Sequence, residues 1–258
     1  MNTALALLRH ALGLLTEAPL KTLAVVAPAL VLMCGVGAIT ALTAPELLAL
    51  DPTNPDLQSI KSVRLSAILL GTFILSYALM AILWHRHTLG SIRKPQPMTA
   101  PLIGGYLWRV VALALIQLVA GLALVIPLLI ASQSGTAGAR PPALPSMMLT
   151  TFITQLLLLW LSLRLSLILP AAALGRPISM RVSWQHTLPL TRPLWGVAAV
   201  LALVNTALTG LTTLFDLSRP VHALVLELPI YIIEGLLIFS VLTTLYARQI
   251  QKTDNDSI

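Results

Sequence analysis

Charge is scarce in this 258-residue sequence: only 10% of its residues are Asp, Glu, Lys or Arg, while 57% are hydrophobic. A soluble domain carries roughly 25% charged residues. So few charges cannot cover a water-facing surface, and the apolar excess, with a mean hydropathy of +0.89, must face lipid. Cysteine is nearly missing as well. The single Cys34 lies inside an apolar run, which excludes an intrachain disulfide and a metal cluster built on thiolates. Enzyme signatures are also missing: there is no G-x-S-x-G, H-E-x-x-H or P-loop pattern. No nucleophile elbow, zinc site or phosphate cradle is therefore expected, and the chain is expected not to be an enzyme. Acids are outnumbered nine to sixteen by Lys and Arg, for a net charge of +7. The bases stand as singles and pairs at the ends of apolar runs, without a dense basic face. That pattern excludes nucleic acid as the expected partner and points to membrane lipids, with the charges setting orientation.

Proline and glycine are plentiful by contrast, with 18 and 14 residues, and they sit mainly where apolar runs end. There they mark helix boundaries. A spanning helix needs ~20 predominantly apolar residues. Six runs meet that requirement, at about 20–44, 65–84, 107–131, 148–169, 194–215 and 221–247. The expected fold is all-α: one integral membrane domain over 1–258, polytopic, with about six transmembrane helices. The segment ASQSGTAGARPP, which contains Ser134 and Gly135, reads as a flexible connector. The first residues do not read as a cleavable signal, because Arg9 interrupts the apolar stretch and a span follows directly.

The connections alternate in charge. One side collects Arg9, Lys21, Arg86, Arg93, Lys94, Arg109, Arg176, Arg181, Arg192, Arg248 and Lys252; the other has only Lys61, Arg64, Arg140 and Arg219. The positive-inside rule places the richer side, and both termini, in the cytoplasm. The expected location is a bacterial inner membrane. Three segments on that side, 1–18, 93–106 and 178–192, precede spans and are too polar to cross. In the first, Leu5, Leu8, Leu12 and Leu15 recur at helical spacing, as in a helix lying in the interface. In the third, Trp184 stands among Arg181, Gln185 and His186 and suits the headgroup layer. Interfacial segment, span, loop and span thus recur three times, and the working architecture is three helical hairpins.

Arg164, Glu227 and Glu234 lie within spans. Each costs ~2.5 kcal/mol or more at the bilayer centre, so each needs a partner or a polar cavity. Counted from their run starts, Arg164 and Glu234 sit ~24 and ~20 Å deep at 1.5 Å per residue, so they are expected to pair. The alternatives for this group are a structural ion pair or an intramembrane polar site. Pro229, between the two glutamates, is expected to free a backbone carbonyl and bend its helix. His10, His85, His87, His186 and His222 all lie away from the middle of a span, so no haem or other cofactor is expected. His85, Arg86 and His87 form an expected interfacial basic cluster; no acid or thiol stands nearby to complete a metal site.

Two stretches carry a family pattern. Arg164-Leu165-Ser166 followed by Pro170-Ala171 reads R-x-S-x-x-x-P-A, and Ser183-Trp184-Gln185-His186-Thr187 reads S-W-x-x-T, with Trp195 opening the next span. Upstream, Trp84-His85-Arg86 closes one span and Tyr106-Leu107-Trp108-Arg109 opens another. The sequence resembles, over about residues 1–250, the membrane domain of bacterial glycerophosphodiester phosphodiesterases and a related family of stand-alone six-helix inner-membrane proteins. The resemblance implies a six-helix integral membrane protein. The soluble phosphodiesterase domain of those enzymes has no counterpart here, so no catalytic residue carries over. The expected role is a non-enzymatic binding, scaffold or accessory component that interacts with lipid or another membrane protein. The alternative is a small transporter or lipid-handling protein with a polar site around Arg164, Glu227 and Glu234.

Overall fold

The structure, a computed structural model, describes residues 2–43, 60–133, 144–214 and 220–255, with side chains for 4–40, 42, 63–127, 145–210, 229, 230 and 232–248. Long apolar runs with few polar backbone competitors leave the chain one way to satisfy its N–H and C=O groups in lipid, which is helix. The order is α1 (Asn2–Thr16), α2 (Pro19–Thr43), α3 (Ile60–Leu89), α4 (Ala100–Gln133), α5 (Leu144–Leu165), α6 (Ile168–Ala173), α7 (Met180–Thr187), a 3-10 turn (Leu188–Leu190), α8 (Thr191–Leu214) and α9 (Pro220–Asn255). No strand occurs among the described residues. Among the described residues five segments are long and apolar enough to cross a membrane: Pro19–Thr40, Val63–Leu89, Ala100–Pro127, Pro145–Ala173 and Met180–Gly210. The chain is thus an all-α, multi-pass membrane protein. The run at 221–247 falls within α9, whose described part contains Pro229 and Glu234.

Proline starts α2 and α9 at the position where its missing N–H costs nothing. Pro170 acts differently. It lacks the N–H that would continue the α5 ladder to Ser166, whose carbonyl instead accepts from Leu169 N at 3.0 Å. The helix breaks at residues 166–167 and resumes as α6. The end of α6 is closed by Gly175, held at φ +79°. The Gly175 and Arg176 amides donate back to Ala172 O and Ala171 O, each at 2.9 Å, a left-handed cap that glycine adopts without steric cost.

Lipid is as apolar as leucine, so helix association here depends on close packing and hydrogen bonds. α5 packs on α8, α2 on α3, α4 on α6 and α5, and α9 on α1 and α3. The pairs α2–α3 and α4–α5 are direct hairpins. Among the described residues α8 packs chiefly on α5, and α9 on α1 and α3; the turn that would close the expected third hairpin lies outside them. Buried side chains gather at one end of the bundle, from Ser76 to Leu89 of α3, Tyr106 of α4, Leu163 to Leu174 of α5–α6, Leu194 to Ala202 of α8 and Leu236 to Tyr246 of α9. Toward the other end Ile68, Leu70, Leu118, Val119, Leu149 and Leu203 are exposed. Only 6% of the span in α4 is buried, against 56% in α5–α6.

Two of the expected interfacial segments are built differently. α1 is a separate helix, but its face Ala4, Leu7, Leu8 and Ala11 enters the core with Leu194, Val197, Val241 and Leu245. Leu5 and Leu12, part of the expected apolar stripe, are 53% and 47% exposed. The sequence has apolar residues on both faces of α1, and the neighbours choose between them: a Cβ on Gly196 would stand 2.8 Å from the Ala4 Cβ, so α1 and α8 meet where one side chain is missing. In the second segment α4 already begins at Ala100, so residues 100–106 belong to the long helix and Arg109 lies inside it. The third segment holds the short helix α7, whose first turn is capped by Ser179 Oγ accepting from Val182 N.

Candidate functional site

Arg164 stands two residues before the break that Pro170 imposes, and it is 2% exposed. Its Nη1 donates to Thr191 Oγ1 at 2.7 Å, and Nη2 lies 3.5 Å from Trp184 O. The guanidinium carbon sits 4.0 Å from the centre of the Trp184 ring and 5.4 Å from that of Trp160. Trp160 in turn stacks on Trp195 at 4.8 Å and meets Trp184 edge to face at 5.8 Å. A planar, weakly hydrated cation between aromatic faces is stabilised without an acid. The backbone of the same residue is held too: Ser183 Oγ donates to Arg164 O at 2.9 Å. Thr187 Oγ1 lies beside it, 2.9 Å from Ser183 O and from Trp184 O. The R-x-S-x-x-x-P-A and S-W-x-x-T elements are therefore two halves of one joint, which fastens α7 and the start of α8 to the end of α5.

The expected pairing of Arg164 with Glu234 is not made. Glu234 Oε1 accepts from Asn205 Nδ2 at 3.1 Å, which joins α9 to α8, and Arg164 is held by the groups just named. The two residues stand at different levels of α8, since their partners Thr191 and Asn205 are ~21 Å apart along it. From Leu144 to Arg164 is ~30 Å along the helix, and from Pro220 to Glu234 ~21 Å. Glu227 lies outside the residues whose side chains are described.

The expected interfacial cluster His85, Arg86 and His87 divides into three fates. His85 is fully buried. Its Nδ1 lies 2.9 Å from Thr243 Oγ1, and that hydroxyl gives its hydrogen to Phe239 O, so Nδ1 is the donor. The neighbouring Trp84 donates from Nε1 to Ser240 Oγ at 3.0 Å. Arg86 donates to Ala173 O at 2.9 Å and to Gln96 O at 2.6 Å, while His87 is exposed. His85 and Arg86 anchor α3 onto α9 and α6. Ser240, Thr243 and Asn205 were the residues missed. Their signal was available as polar side chains within otherwise apolar runs, which in lipid serve as helix contacts.

A second feature lies where α4 begins. A cavity of about 280 Å³ opens between the first turns of α4 and the end of α6, with Gln96, Thr99, Leu102, Gly105, Arg109 and Gly175 in its wall. Gly175 shapes it: a Cβ there would stand 2.8 Å from the Gln96 Cβ and closer still to its amide oxygen. The Gln96 amide donates to Leu174 O at 3.2 Å, which fixes the crossing loop on the α6 cap. Among the described residues no group of three or more His, Cys, Asp or Glu is placed to hold a metal ion. Comparison of the chain with protein-family models, curated proteins and solved structures finds no match in any of the three.

Proposed function

We propose that the chain is a non-enzymatic protein of a bacterial inner membrane, with six crossings and both termini in the cytoplasm, that acts as a binding, scaffold or accessory component for lipid or another membrane protein. The observation that carries this reading is how Arg164, Glu234 and His85 are used. Arg164 is enclosed by Trp184, Trp160 and Thr191, Glu234 is bonded to Asn205, and His85 to Thr243. Each joins one helix to another, and none is aimed with a second reactive group at a shared space. The resemblance to the membrane domain of glycerophosphodiester phosphodiesterases agrees with this, since its motif residues serve here as helix joints. The charge asymmetry supports the orientation. In a Cys34→Ala background, a cysteine placed in the 135–140 connection should be labelled from outside intact cells and one at Gln96 should not; the reverse pattern would invert the topology.

One observation favours the alternative of a small transporter or lipid-handling protein. Glu234 is half-buried, with Asn205 as its hydrogen-bond partner, on a stretch of α9 where Ile233 is 63% exposed. Reconstitution separates the two readings. The binding role predicts that protein extracted in mild detergent retains phospholipid or a membrane subunit and drives no solute flux in proteoliposomes. A flux abolished by Glu234→Gln would replace it with the transport reading.

A further inference from the structure

Among the described residues no acid is paired with Arg109. It lies within the span Ala100–Pro127, ~14 Å along α4 from its start. An arginine at such a position needs an anion or a polar cavity. The chain offers no nearby acid in sequence, since no Asp or Glu occurs between Asp56 and Asp216. The only hydrogen bond Arg109 makes among the described residues runs from Nη1 to Gly105 O at 2.6 Å. That bond turns the side chain back one turn toward the start of α4, as arginines near a membrane boundary do. A guanidinium has several further N–H groups, and Arg109 is one of the residues that line the 280 Å³ cavity.

The rest of the wall suits an anion that carries an apolar tail. Gln96 and Thr99 offer polar groups, Leu102 and Ala172 are apolar, and no lining residue is acidic. Arg176, between the lining residues Gly175 and Pro177, is exposed. The connection that crosses the cavity also carries Arg93 and Lys94. A water molecule takes ~30 Å³, so the space admits a phosphodiester headgroup while falling at the lower edge of drug-sized sites. The cavity lies between the end of the apolar segment of α3 at Leu89 and the start of that of α4 at Ala100, and apolar spans end where lipid headgroups begin. Basic pockets between helices on the cytoplasmic side are a recurrent way of holding such lipids.

We infer that this cavity binds the phosphate of an anionic phospholipid headgroup, with Arg109 as its charged ligand. The inference rests on the lipid-binding reading above and names the class of lipid and its place. The test uses the full chain in zwitterionic detergent, with native mass spectrometry and thermal unfolding after addition of phosphatidylglycerol, phosphatidylcholine or inorganic phosphate. Phosphatidylglycerol should be retained and raise the midpoint, phosphatidylcholine much less, and Arg109→Gln should weaken phosphatidylglycerol binding about tenfold, as loss of a charged hydrogen bond implies. Leu102→Trp, which fills the cavity and keeps the charge, should give the same loss, and it decides the matter if Arg109→Gln does not fold. Phosphatidylglycerol binding unchanged in both variants overturns the site. Equal stabilisation by inorganic phosphate overturns the lipid assignment. Retention of phospholipid with no headgroup preference rejects this site while leaving the broader lipid-binding role intact; retention of none rejects both.

Discussion

Arg164 and Glu234 should behave as independent helix joints, and a double-mutant cycle measures this directly. Arg164→Leu removes the 2.7 Å bond to Thr191, worth about 1.5–3 kcal/mol for a charged donor. It also removes the stacking on Trp184, worth about 0.5–2 kcal/mol. Part of that loss is offset, because Nε has no hydrogen-bond partner among the described residues and its desolvation cost disappears with it. The net destabilisation is therefore about 2–3 kcal/mol. Glu234→Gln keeps an oxygen able to accept from Asn205 and should cost less. The two sites share no partner, so the double variant should equal the sum of the singles within about 0.5 kcal/mol. Unfolding by SDS in mixed micelles, followed by tryptophan fluorescence, reads all four proteins. A coupling energy above about 1 kcal/mol would refute the assignment and restore a direct ion pair, whose rupture from one side costs about 3–5 kcal/mol when buried. Arg164→Lys adds a control: a point charge lacks the planar fork and stacks poorly, so it should recover only part of the loss.

The other joints give similarly specific outcomes. Ser183→Ala deletes the donor to Arg164 O and should lower stability by about 1 kcal/mol, with no further loss when combined with a disrupted α7. Trp84→Phe removes the bond to Ser240 while leaving that hydroxyl its bond to Leu236 O; a cost near 1 kcal/mol is expected, and a neutral result would argue against the α3–α9 contact. Gly196→Val places carbon atoms where Ala4 already stands and should force α1 from α8 at about 1–3 kcal/mol. Limited proteolysis near Thr16 should then become faster, and unchanged protection would show that α1 docks elsewhere.

The multi-pass helical class was legible in the sequence because it depends on local quantities. Twenty or so apolar residues in a row require a helix in lipid whatever surrounds them, and the six expected runs fall on α2, α3, α4, α5 with α6, α8 and α9. The run expected at 148–169 is interrupted after Leu165, because Pro170 has no N–H to give to the Ser166 carbonyl. Depth was less legible, since α4 extends back to Ala100 through residues that looked too polar to belong to a span.

Partner choice was decided only by the tertiary structure. The sequence placed Arg164, Glu234 and His85 in or near spans and required each to be satisfied, but it contained several candidates for every one of them. Leu5 and Leu12 of α1 look as fit for burial as Leu7 and Leu8, and the missing side chain at Gly196 selects the second pair. Arg164 has an acid at similar apparent depth, yet a tryptophan face and a threonine hydroxyl reach it first. Which face a helix turns inward, and which of two suitable partners stands within hydrogen-bond reach, depend on contacts between residues far apart in the chain. Hydropathy patterns determine that a helix spans; they do not encode the azimuth that brings Trp184 beneath Arg164 and places Arg109 at the wall of an open cavity.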